Sequence, residues 1–233
     1  RGANIGTLAD YYEKSWFQVP VYDIGNDWFL QSTGFSVLSD PAAQRIKRLF
    51  DVGLAIIVLV LSIPLLILSA VAIKLESTGP VFFSQKRVGL RGALFTIYKL
   101  RTMEVSQDNS AKWAQPDDPR VTKVGGFLRK SRIDELPQAW NVLKGNMSFV
   151  GPRPEQADFT VWLSDEIPFY DLRHQVKPGI TGWAQVIFPY GASKEDAIKK
   201  LQYELYYIKH QSLLLDLNIM VRTLITVFQR SGR

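Results

Sequence analysis

Residues 52–73, VGLAIIVLVLSIPLLILSAVAI, hold no charged side chain. Coiled as one helix, the run reaches about 33 Å at ~1.5 Å per residue, the thickness of a hydrocarbon core. A chain carrying it must bury the run in protein or give it to lipid. Ser62 and Pro64 stand mid-run, where a proline lacks the N–H of the helix ladder and bends it. Cations flank both ends: Arg45, Lys47 and Arg48 before, Lys74, Lys86, Arg87 and Arg91 after. The positive-inside rule asks both flanks to stay on one side of a membrane. Two topologies remain open at this point. The helix spans with a kink, or it is broken at Ser62 and Pro64 and leaves by the face it entered. In the second case the Ser62 hydroxyl could cover a carbonyl that Pro64 leaves free. No second uncharged run of this length follows.

The rest of the chain reads as a folded body. Hydrophobic residues make up 46% of the sequence, too many for a disordered chain. The net charge of +6 suits anionic partners: nucleic acid, anionic lipid or phosphorylated substrates. With no cysteine there is no disulfide, zinc–thiolate site or thiol nucleophile. The histidines, His174 and His210, are far apart and form no HExxH pattern, so both read as ordinary polar positions. The chain opens on Arg1 with no signal peptide. It reads as the C-terminal part of a longer protein, with 1–44 a lead-in or linker carrying a short helix that starts near Thr7 or Asp10.

Residues 79–103 carry two strand-like runs around Gly89 and Gly92, a β-hairpin. Residues 115–130 form a turn-rich connection running into a helix. DELPQAWNVLKGNMS reads as a helix ending near Gly145, SFVGPRPEQ as a rigid loop, and KPGITGWAQV as a loop followed by a short strand. Ser193, with Glu195 and Asp196 after it, starts one late helix. SLLLDLNIMVRTLITVFQR forms another, suited to core packing or to a membrane interface. The fold class is α+β, mostly helical. The divisions are 1–44, a membrane helix at 45–76 and a folded domain at 77–233.

Asp134 and Glu135 follow the basic run Arg129-Lys130-Ser131-Arg132. Ser131-x-x-Asp134 fits a capping box, which makes the acidic pair an ordinary first turn. The same turn also suits phosphate chemistry. Neighbouring helical residues point about 100° apart, so the two carboxylates address different directions. Crowded cations offset repulsion between a carboxylate nucleophile and a phosphate. Arg153, in the stiff loop Gly151-Pro152-Arg153-Pro154, adds another guanidinium.

The set RLFDVGLAIIVLVLSIPLLI, GPVFFSQKRVG, YKLRTM, DPRVTKVGGFLRKSRIDELPQAWNVLKGNMSFVGPRP and KPGITGWAQV closely resembles the monotopic phosphoglycosyl transferases. These are the bacterial sugar transferases that start polysaccharide assembly on polyprenyl phosphate. The resemblance covers roughly residues 45–230. It implies a compact α/β catalytic body on a re-entrant helix, with amphipathic helices in the cytoplasmic leaflet of the bacterial inner membrane. It implies transfer of a sugar 1-phosphate from a UDP-sugar to undecaprenyl phosphate with release of UMP. Asp134 would be the nucleophile and a ligand of Mg²⁺, with Glu135 assisting. Arg129 and Arg153 match family arginines near phosphate, and Lys99 and Arg101 match further basic positions. The family's break is Ser-Pro; here it is Ser62-Ile63-Pro64. The partners implied are the two substrates and membrane lipid. A homodimer stays open, and no nucleic-acid recognition motif is present. Two readings compete. One is a membrane-anchored scaffold whose acidic pair is a helix cap. The other is a nucleotide-sugar glycosyltransferase releasing UDP, with Asp117-Asp118 as its nearest metal motif.

Overall fold

A computed structural model describes residues 7–25, 28, 40–104, 118–188, 191 and 193–228. The chain runs α1 (Leu8–Trp16), α2 (Pro41–Glu76), β1 (Phe82–Val88), β2 (Leu94–Leu100), α3 (Lys123–Lys130), a 3₁₀ turn at Ile133–Glu135, α4 (Gln138–Lys144), β3 (Ser148–Val150), α5 (Ala157–Glu166), a second 3₁₀ stretch at Tyr170–Gln175, β4 (Gly179–Thr181), α6 (Trp183–Ile187), α7 (Lys194–His210) and α8 (Leu213–Phe228). β1 and β2 pair antiparallel from Phe82↔Leu100 to Val88↔Leu94, the hairpin read from the sequence. β3 and β4 pair parallel, Ser148 with Gly179 and Val150 with Thr181. Two expectations change here. Part of the SFVGPRPEQ loop is a strand, and Gly179–Thr181 is the strand of KPGITGWAQV, with helix rather than strand after it.

The long helix begins at Asp40, whose carboxylate accepts from Ala42 N at 2.8 Å, with Pro41 in the first turn. It continues unbroken to Glu76 with Pro64 inside. The interruption expected at Ser62 and Pro64 is therefore one missing backbone donor, not an end and restart of the helix. The Ser62 hydroxyl donates to Leu59 O at 3.1 Å. That is its own i−3 carbonyl, whereas Pro64 leaves the carbonyl of Val60 without its usual partner.

One stripe of α2 faces the body. Asp51, Ala55, Ser62, Ser69 and Ile73 are buried, and Leu59 and Leu66 are packed against core clusters. The spacing alternates near three and four residues, the period of one helix face. The other faces are open: Leu61, Leu68, Val71 and Leu75 are exposed. Only 17% of the apolar window is buried, which excludes a core helix of the ordinary kind.

Both ends of α2 are tied to the same body. Near its start, Asp51 Oδ1 accepts from Ser148 Oγ and Phe149 N, each at 3.1 Å. Arg48 donates to the carbonyls of Val142 and Leu143 at the C-terminus of α4, where the helix dipole favours a cation. At its end, the Glu76 carboxylate accepts from Val124 N at 3.0 Å in the first turn of α3. Ala55 packs with Phe95, Ile97, Ala139, Val142 and Met147, and Ile73 packs with Leu100 and Leu128.

The largest core cluster joins α5, α6, α7 and α8 and takes in the lead-in. Ala9, Val19, Val21 and Ile24 are buried within it. Glu13 binds Lys209 at 2.6 Å and His210 at 2.9 Å, and the Trp183 indole donates to Phe17 O at 3.2 Å. The described part of the segment expected as a linker is thus a layer of the body, held by apolar burial and a paired carboxylate. Thr7 caps α1 and Ser193 caps α7, each in a reciprocal capping box. α8 buries Asp216 and Ile219 and leaves Leu214, Leu217, Val221, Leu224 and Ile225 exposed, an amphipathic helix with its apolar face uncovered.

Candidate active site

α3 starts at Thr122, whose hydroxyl accepts from Gly125 N at 2.9 Å. It ends at Ser131, whose hydroxyl turns back onto the carbonyls of Phe127 and Leu128. Ser131 therefore closes the helix before Asp134 and does not cap a helix after it, and the capping-box reading fails. Arg132 follows in the left-handed region, φ 58°, a conformation that costs a non-glycine residue energy. That reversal throws Ile133–Glu135 into a single 3₁₀ turn. Leu136 and Pro137 then lead into α4, so the expected helix starts at Gln138. It does end at Gly145, φ 86°.

The turn points its two carboxylates into different surroundings. Glu135 is buried and meets three cations: Lys99 Nζ at 2.9 Å, Arg153 at 3.1 Å and Arg132 at 3.5 Å. Burial alone would raise its pKa; Lys99, Arg153 and Arg132 outweigh burial and hold it well below the usual carboxylate range. Asp134 is 7% exposed. Its Oδ1 is buried with no hydrogen-bond partner. Burial first, and the Glu135 charge second, push Asp134 up to about 6. One carboxylate is saturated and ionised; the other is bare.

The surrounding cations are each positioned by the fold. Lys99 sits at the end of β2, and burial lowers its pKa against the pull of Glu135. The Arg129 Nε donates to the Thr102 hydroxyl at 2.9 Å, and its charge acts on Asp134. Arg153 is steered from below. Its carbonyl accepts from Arg173 at 2.8 Å, and Arg173 is locked in a two-bond pair with Glu204, both bonds 2.8 Å, with the Tyr170 hydroxyl accepting a third. The Glu135 charge raises the Arg153 pKa, so the guanidinium stays ionised.

The Gly151-Pro152-Arg153-Pro154 and Lys177-Pro178-Gly179 stretches cross backbone to backbone. A Cβ at Gly151 would lie 2.3 Å from Lys177 O, and one at Gly179 would lie 2.1 Å from Gly151 N. Only glycine allows this crossing, which fixes the base from which Arg153 projects.

Of the residues singled out from the sequence, the structure gathers Asp134, Glu135, Lys99, Arg129 and Arg153. Arg101 goes elsewhere. It is buried and donates to the carbonyls of Ser77 and Thr78 and to the Ser77 hydroxyl, clasping the chain as it leaves α2. Thr102, Arg173 and Glu204 support the site and were not singled out. No local motif joins them, because they lie on separate segments. Asp118, the nearest candidate for a glycosyltransferase metal motif, is held by Arg120 at 2.7 Å; Asp117 lies outside the described residues.

The sequence model of bacterial sugar transferases matches residues 42–230. This chain belongs to the bacterial sugar transferase family. It is 50% identical over 198 residues to the UDP-N-acetylgalactosamine-undecaprenyl-phosphate N-acetylgalactosaminephosphotransferase of Aeromonas hydrophila, which covers 84% of this chain and 47% of that protein. It is 46% identical over 185 residues to the UDP-glucose:undecaprenyl-phosphate glucose-1-phosphate transferase of Xanthomonas campestris, 78% of this chain and 38% of that protein. The protein of that same name from Escherichia coli is 44% identical over 188 residues, 79% of this chain and 40% of its own length. The chain spans less than half the length of these curated relatives.

Proposed function

We propose that this chain catalyses transfer of a sugar 1-phosphate from a UDP-sugar to undecaprenyl phosphate, with Asp134 as the nucleophile. The observation that carries the reading is the contrast within the acidic pair. Asp134 has an unpartnered carboxylate oxygen, while Glu135 beside it is saturated by Lys99, Arg153 and Arg132.

In the first step a carboxylate oxygen of Asp134 attacks the phosphorus that bears the sugar. The bond from that phosphorus to the bridging oxygen breaks, and UMP leaves with the electron pair. In the second step a phosphate oxygen of undecaprenyl phosphate attacks the phosphorus of the Asp134 phosphosugar. The acyl phosphate bond breaks, Asp134 is regenerated, and undecaprenyl diphosphate sugar departs. Splitting the transfer lets a soluble donor and a lipid acceptor use one site in turn. Arg129 and Arg153 stand where phosphate charge gathers. Glu135 keeps Lys99 and Arg153 in place, and its charge makes Asp134 more basic.

A Mg²⁺ fits this arrangement. The bare Asp134 oxygen would be its protein ligand, and no group of three or more acidic or histidine side chains suited to a metal exists among the described residues. Magnesium held by one carboxylate, with water and phosphate oxygens filling its shell, would neutralise charge on the donor diphosphate.

The topology that goes with this reading keeps both flanks of α2 on the cytoplasmic side of a bacterial plasma membrane, with the helix bent at Pro64 and not broken there. Its support is that both ends of α2 are bonded to one body.

UMP release from a panel of UDP-sugars, with Mg²⁺ and undecaprenyl phosphate, tests the reaction and names the sugar. The expected result is UMP release that is lost in Asp134→Asn, with label from a sugar-labelled donor trapped on the wild-type protein. Release of UDP, or turnover by Asp134→Asn, would overturn the reading.

A further inference from the structure

The hairpin opens with two aromatic residues that the site description leaves unused. Phe82 is 54% exposed and Phe83 46%. They stand at the start of β1, just after the chain leaves α2. Val81, the residue before them, packs with Ile73 of α2 and with Leu100 and Leu128. On this stretch α2 turns Leu68, Val71 and Leu75 outward.

The strand register separates the two rings. Successive residues on a strand face opposite ways, and directly paired residues share a face. Phe83 is paired with Lys99, and Phe82 with Leu100. Phe83 therefore shares its face with the ammonium that lies 2.9 Å from Glu135. Phe82 belongs to the opposite face. An exposed aromatic side chain is thus the cross-strand neighbour of Lys99, which binds Glu135, at the end of the body where the chain leaves the apolar helix.

We infer that Phe83 is the apolar wall for the first isoprene units of the polyprenyl phosphate acceptor. The inference rests on the proposed function and deepens it by giving the lipid a contact. The complementarity is of an amphiphile. An anionic head meets Lys99, Arg129, Arg132 and Arg153, and the hydrocarbon behind it runs over Phe83 towards the exposed side of α2. A nucleotide would match the cations but would gain nothing from the apolar connection to the helix. Phe82, on the other face, is the internal control: it can touch lipid without touching the acceptor head.

The test uses the full-length protein in vesicles of phosphatidylethanolamine and phosphatidylglycerol, with undecaprenyl phosphate as acceptor. Phe83→Ala raises the acceptor KM about tenfold, the loss of one aromatic contact. It leaves the UDP-sugar KM and vesicle binding where they were, and Phe83→Leu recovers most of the loss. Phe82→Ala leaves the acceptor KM unmoved. The inference is overturned if the acceptor KM of Phe83→Ala is unchanged. It is overturned if the UDP-sugar KM rises instead, which marks a nucleobase contact, or if the loss tracks vesicle binding, which marks a simple anchor. Wild-type protein that releases UMP yet ignores undecaprenyl phosphate also overturns it. Wild-type protein that releases no UMP from any donor sinks the proposed function first and the acceptor contact with it.

Discussion

Asp134 is expensive to keep. A buried carboxylate without a hydrogen bond costs stability, and here a second carboxylate lies in the next residue. Asp134→Asn removes the charge and nearly keeps the shape. It is expected to abolish transfer while raising stability by about 1 kcal/mol, a Tm gain of about 2–4 °C for a chain of this size; differential scanning calorimetry checks it. The pH dependence has a definite sign. With no metal bound, burial and then the Glu135 charge push Asp134 up to about 6, and only the carboxylate is a nucleophile. The kcat/KM for the UDP-sugar should therefore fall on the acid side, from about pH 6 at low Mg²⁺ and from a lower pH as Mg²⁺ is raised. Lys99 is the leading cation acting on both carboxylates, so Lys99→Gln should leave Asp134 less compensated and its pKa higher. The acid limb of the profile then moves up in pH; a limb that stays in place would exclude the assignment. At this scale the sequence shows the residues but not their division of labour. Asp134 and Glu135 stand out beside basic residues. Nothing in SRIDE signals that Arg132 adopts a left-handed φ, and that reversal turns Ser131 into the end of one helix instead of the cap of another.

Among the elements, glycines decide how closely the parts approach. α3 carries Gly125 and Gly126 side by side, and the structure separates them. A Cβ at Gly125 would fall 2.0 Å from the backbone oxygen of Thr102, whereas at Gly126 the nearest atom is a Val121 methyl at 4.0 Å. Gly125→Ala must push α3 away from Thr102, whose hydroxyl orients Arg129. The expected cost is about 2–4 kcal/mol, with activity lost beyond the loss of folded protein. Gly126→Ala should be neutral or stabilising by up to ~1 kcal/mol, through helix propensity alone. Urea denaturation of both variants checks the pair, and equal effects would contradict the packing. Local signals made several elements legible. The hairpin, the Ser193 cap and the Gly145 stop follow from residues within a turn of one another. The parallel pairing of β3 with β4 and the Arg173–Glu204 clamp join distant segments through backbone crossing and burial, and no local pattern announces either.

For the whole molecule, the decisive geometry is that α2 is held at both ends by one body. Asp51 and Arg48 bind around β3 and α4, and Glu76 binds the first turn of α3. A helix crossing a bilayer would put its two ends on opposite sides of the membrane, and a body on one side could not grip both. The sequence announced the apolar run and its paired basic flanks. It left spanning and re-entry open, because both use the same hydropathy. The buried stripe from Asp51 to Ile73 bears on that choice by tying both ends to one body, and it is a property of the partner surface. The lead-in shows the same limit: residues 7–25 look like a polar linker, yet Ala9, Val19 and Val21 complete a core built by α5 to α8. With no native cysteine, single cysteines report on topology without background. Arg45→Cys and Thr78→Cys, both exposed beyond the two ends of the apolar run, should react with a membrane-impermeant maleimide from one and the same side of sealed vesicles. Labelling from opposite sides would require α2 to release its grip on α3 or on α4 and would restore the spanning helix.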